Sequence, residues 1–171
     1  MDFASTTHDD ALREDGSSRI SVAHYSAEEV VSQFFALYDC FDFKAELLDL
    51  GISPLQIRRR KKARREFRAI CIALWGVALQ KSFPQEAGAF FERFMGTAPF
   101  LNGKSKECGR LQNRVNIYVD LMAEKKDTDF LPVAEYLSEV LALNDEDMRR
   151  LRLKVSLITR NLYTSIFDRL V

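Results

Sequence analysis

Between Pro54 and Gly76 the chain runs for 21 residues without a glycine or proline, and this stretch changes character halfway. Its first part, QIRRRKKARREFR (56–68), holds eight Lys/Arg and one acid, Glu66, whereas AICIALWGVALQ (69–80) carries no charge. Ser53, Pro54 and Gln56 read as a helix start: a serine cap, proline at the first helical position, and glutamine closing a capping box. The sequence therefore predicts one helix from Ser53 to near Phe83, ended by Pro84. At 1.5 Å per residue such a helix is about 45 Å long, more than the width of a small domain. One half must be central and the other must emerge or lie at an edge.

On a helical wheel, Ala63, Phe67, Ile70, Cys71, Leu74 and Ala78 form an apolar stripe. Arg58, Lys61, Lys62, Arg65 and Arg68 fall on the far side. Arg59, Arg60 and Arg64 flank the stripe, where their stems can cover apolar surface while the charged heads stay wet. Beyond Ala69 the helix is apolar nearly all round, the pattern of an element buried on most faces. Like charges at i,i+3 and i,i+4 repel, so the basic face calls for something negative against it. The sources are the acidic blocks of the same chain, a partner protein, or phosphates.

The remaining sequence also reads as helix. Seven glycines and four prolines in 171 residues are too few turn residues for a small all-β domain. An apolar fraction of 47%, with 13 Phe, supplies a core, and a chain of this length buries roughly 70% of its unfolded surface without help from metal or disulfide. Ser26 and Glu29 form a capping box ahead of VVSQFFALYDCF. A short second helix ends at Gly51, and QEAGAFFERFMG makes another. From about Ser105 a further helix carries the stripe Leu111, Val115, Tyr118, Val119 and Met122. Pro132 opens the next, and Asn144 caps a last one whose core positions are Met148, Leu151, Val155, Ile158, Leu162 and Ile166. The expected fold is all-α: a single helical bundle of six or seven helices (residues 25–171) with a long, half-buried central helix and an acidic, flexible N-terminal tail (residues 1–24).

Charge is zero overall but segregated. Net charge is −8 over residues 1–50, +7 over 51–68, −6 over 124–147 and +5 over 148–171. Such blocks neutralise one another within a fold or across an interface. Three widely spaced cysteines with no CxxC argue against a disulfide framework and against zinc, and suit a reducing cytosol. The N-terminal segment lacks the basic start and apolar stretch of a signal peptide. The 12-residue charge-free run is too short to span a bilayer, which takes about 20.

No motif carries an identifiable chemistry. FLNGKS lacks the upstream glycine of a phosphate-binding loop, because position 98 is alanine. The only histidines, His8 and His24, lie in the tail, and no nucleophile, base and orienting group assemble. The expected protein is non-catalytic and cytoplasmic, with no catalytic residues, metal or cofactor. It is a helical interaction module (adaptor, regulator, inhibitor or assembly factor) for a protein with an acidic surface, with a second copy of the chain as a further partner. Arg58, Lys61, Lys62, Arg65 and Arg68 are the candidate contact residues, and Phe90, Phe91 and Phe94 a candidate apolar contact or groove. The alternative is nucleic-acid or polyanion binding by the same basic helix.

Overall fold

A computed structural model describes residues 26–98, 106–123 (backbone alone at 107), 129–142 and 148–170. The acidic tail, the Ser105 start and the Asn144 cap lie outside the described residues. These residues form an all-α fold with no strand among them. In order the helices are α1 (Ala27–Cys40), α2 (Lys44–Asp49), α3 (Ile57–Ser82), α4 (Ala87–Thr97), α5 (Lys106–Ala123), α6 (Leu131–Val140) and α7 (Met148–Phe167). α3 is the hub: it packs on α4, α5 and α7, while α1 lies against α4, and α6 against α5 and α7.

The Ser26–Glu29 capping box forms at the head of α1. The Ser26 hydroxyl accepts from the Glu29 amide at 3.2 Å, and the Glu29 carboxylate accepts from the Ser26 amide at 2.9 Å. α2 closes with Gly51 at φ +71°, a left-handed position that favours glycine. The Gly51 amide bonds to the Leu48 carbonyl and the Ile52 amide to the Leu47 carbonyl, each at 2.8 Å. This double closure presses Ile52 and Leu47, both fully buried, into the core.

α3 begins at Ile57 rather than at Ser53. The reason lies in that closure: Ile52 is held in the core, and the chain must turn before a helix can leave. The Ser53 carbonyl, instead of its hydroxyl, takes the Gln56 amide at 3.1 Å, and the first helical bond runs from the Arg60 amide to the Gln56 carbonyl at 2.9 Å. The 26 residues that remain are about 39 Å long.

All six stripe residues of α3, Ala63 to Ala78, are fully buried, as are Ala69 and Ile72 on the opposite side of the later turns. Trp75 is the centre of an aromatic cluster. Phe34 of α1 stacks on it at 4.5 Å, and Phe94 of α4 lies at 4.9 Å. Lower down, Phe43 stacks on Phe67 at 5.3 Å. Phe43 adopts φ 55°, a costly conformation for a bulky residue, and the buried stack holds it there.

Candidate partner-binding surface

The eight cations of residues 58–68 divide into three that bond to backbone carbonyls, four that are exposed, and Arg64. Arg59, Arg60 and Lys62 are spent on backbone carbonyls inside the fold. The Arg59 guanidinium donates to the Ala142 carbonyl at 3.3 Å, and the Lys62 ammonium donates to the Val140 carbonyl. Both acceptors sit at the C-terminal end of α6, where carbonyls lack helical partners and the helix dipole is negative. α6 has no basic residue in its own last turn, so α3 provides the positive charge. Arg60 donates to the Ile52 carbonyl at 3.3 Å, bracing the turn that launches α3. Lys62 is therefore not on the free face assigned to it from the wheel; it is half-buried against α6.

Arg58, Lys61, Arg65 and Arg68 are exposed. None forms an ion pair with a described acidic residue. Their spacing, i, i+3, i+7 and i+10, sets them in one stripe about 15 Å long. Arg64 is half-buried beside the stripe, near Asp42. The Asp42 carboxyl is held below its usual range, first by its hydrogen bonds with Lys44 and further by Arg64. At the head of the stripe two apolar side chains face solvent, Leu55 at 91% exposure and Ile57 at 63%. Ile57 shares the helix face of Lys61 and Arg68.

Glu66, the single acid of the run, has a role that the sequence did not signal. It is fully buried. The Arg114 guanidinium of α5 lies against its Oε1, and the Tyr118 hydroxyl donates to Oε2 at 3.0 Å. The Tyr118 ring meets Tyr136 of α6 edge-on at 5.5 Å. Burial above all pushes the Tyr118 hydroxyl far above the ordinary tyrosine range, so it stays a neutral donor. The cluster joins α3, α5 and α6. The Glu66 carboxylate has no solvent-accessible surface and ties α3 to α5.

The three phenylalanines do not form one outward face. Phe94 is fully buried between Phe34 and Trp75, and Phe90 is buried against Phe83 at 5.4 Å. Only Phe91 reaches an opening, a cavity of about 220 Å³ between α3, α4 and α5 bordered by Gly76, Gln80, Gly88, Val119 and Met122. Phe90 and Phe94 are core residues, because the α4 face that carries them packs on α1 and α3.

Among the described residues no group of His, Cys, Asp and Glu is arranged to hold a metal ion, and no helix is long and apolar enough to cross a membrane. Cys71 is fully buried, and burial raises its thiol well above the usual range. No protein-family model, curated protein or solved structure matches the chain.

Proposed function

We propose that the protein is a non-catalytic helical interaction module, an adaptor or regulator acting in the cytoplasm. Its α3 stripe, Arg58, Lys61, Arg65 and Arg68, receives the acidic surface of a partner protein. One observation carries this reading: four aligned cations are exposed and, among the described residues, pair with no acid, with Leu55 and Ile57 exposed at their head, while Arg59, Arg60 and Lys62 on the same helix bond to backbone carbonyls of the fold. Like-charge repulsion within the stripe costs stability, and an acidic partner surface relieves it. The apolar pair favours protein over nucleic acid. Phosphates satisfy cations but offer nothing to bury a leucine and an isoleucine, whereas a protein interface combines apolar anchors with charged flanks.

The discriminating experiment is a charge reversal, Arg58→Glu/Arg65→Glu, tested by co-purification from nuclease-treated extract and by titration with mixed nucleic acid. The reading predicts a protein partner that survives nuclease and is lost in the variant. If nucleic acid binds instead, with log affinity falling against log salt at a slope of roughly −3 to −4 for four phosphate contacts, the polyanion alternative replaces it.

A further inference from the structure

α7 carries a second cationic surface, and its outer face has an apolar ridge. Between Met148 and Phe167 there are five Lys/Arg and no acid. Leu151, Val155, Leu162 and Ile166 are buried along one side. Leu153 and Leu157, one turn apart on the opposite side, are 60% and 56% exposed. Arg149 and Arg160 flank this pair on one edge, Arg150 and Lys154 on the other; the three arginines are exposed. The Lys154 ammonium donates to the Asp49 carbonyl at 2.6 Å, which brings the end of α2, with Leu48 also exposed, to this flank. On the other flank Arg152 pairs with Glu135 of α6 at 3.4 Å.

These ties fix the direction of the ridge. α7 is held between the end of α2 and α6, and α3 is tied through Arg60 to Ile52 in the turn just after α2 on one side, and through Arg59 and Lys62 to the end of α6 on the other. α7 therefore covers the apolar stripe of α3 and lies opposite Arg58, Lys61 and Arg65. The two cationic surfaces look out on opposite sides of the molecule.

We propose that the outer face of α7 docks on an anionic lipid bilayer, with Leu153 and Leu157 entering the headgroup boundary and Arg149, Arg150 and Arg160 level with the phosphates. This goes beyond the α3 reading and does not rest on it. The single charge sign within α7, from Met148 to Phe167, and its layered order support a bilayer, against the acidic block that ends at Asp147. The leucines stand outermost with cations on both edges, the arrangement of an interfacial helix, and arginine stems let the charged heads stay at headgroup level. A bilayer presents anions and hydrocarbon in layers in any register, whereas a protein partner must match this ridge residue by residue. A second copy is disfavoured, because a two-fold contact through α7 sets arginine against arginine.

The test is sedimentation of the full chain with phosphatidylserine-containing vesicles, with pure phosphatidylcholine vesicles as control. Binding is expected to the anionic vesicles alone. Leu153→Ser/Leu157→Ser should lower partitioning at least about tenfold, and Arg149→Ala or Arg150→Ala about fivefold each. Arg58→Glu/Arg65→Glu, on the opposite side, should change it by no more than about twofold, because charges more than a Debye length from the membrane are screened. All these positions are exposed, and unchanged far-UV circular dichroism shows that the variants are folded. Absence of anionic-vesicle binding overturns the proposal. So does binding that follows Arg58 and Arg65 and ignores the leucines, or leucine variants that dissociate a dimer in place of releasing vesicles.

Discussion

Removing Arg114 should damage this protein more than removing the charge of its partner, and removing both should repair part of the damage. Arg114→Met leaves the Glu66 carboxylate fully buried with only the Tyr118 hydroxyl to satisfy it. Stranding a buried charge costs about 3–5 kcal/mol. Glu66→Gln is milder. Tyr118 keeps an acceptor of the same shape, and Arg114, with 27% of its side chain exposed, can turn its guanidinium to water. The loss is then that of a charged hydrogen bond, about 1.5–3 kcal/mol. The double variant strands nothing, so adding Glu66→Gln to Arg114→Met should restore about 2 kcal/mol rather than subtract more. Urea denaturation followed by Trp75 fluorescence and far-UV circular dichroism reads this directly, since 2 kcal/mol is roughly 1 M in the midpoint for a typical slope. A double variant as unstable as the two single losses added together would refute the claim that Glu66 and Arg114 are coupled in the core.

Three further outcomes follow from the same geometry. Arg65→Glu turns repulsion from Lys61, Lys62 and Arg68 into attraction, so thermal stability should rise by roughly 1 kcal/mol; a lower melting temperature contradicts an unneutralised stripe. The Glu29 carboxyl is held below its usual range by the Ser26 amide and hydroxyl, so its stabilising effect is complete above the ordinary carboxylate pKa and is lost as pH falls through the depressed one. The stability difference between wild type and Glu29→Gln, from urea midpoints, should therefore shrink between about pH 6 and about pH 3. A Cβ at Gly88 meets nothing within 4 Å, whereas one at Gly76 comes to 3.0 Å from Phe91 Cε2. Calorimetry should find Gly88→Ala stabilising by about 0.5–1 kcal/mol and Gly76→Ala less so, since the Phe91 ring must shift to accept the methyl.

What the sequence made legible was periodic and local. The apolar stripe of α3 from Ala63 to Ala78, the capping box at Ser26 and the stop at Gly51 depend on neighbours within a turn or two, and all three appear in the fold. The start of α3 did not, although Ser53, Pro54 and Gln56 form a strong local signal. The competing interaction, Ile52 with Leu47, belongs to the preceding helix. Glu66 was hidden for a deeper reason. It sits at the edge of the stripe in a run of cations, and only a residue 48 positions onward, Arg114, makes its burial tolerable. The one available hint was an acid standing beside core positions. Lys62 was placed on the free face because the wheel cannot show the end of α6 lying beside it. The exposure of Arg58, Lys61, Arg65 and Arg68 was readable, since exposure opposite a core stripe follows from period alone.

The central claim, that this stripe meets the acidic surface of another protein, is tested most directly by photo-crosslinking. Lys61 is replaced by p-benzoylphenylalanine, and the protein is irradiated in nuclease-treated extract of its native host. The account predicts a discrete protein adduct whose crosslinked peptide is rich in Asp and Glu, and which disappears when Arg58 and Arg65 are reversed to Glu. A nucleic-acid adduct, or a protein adduct indifferent to that reversal, contradicts it.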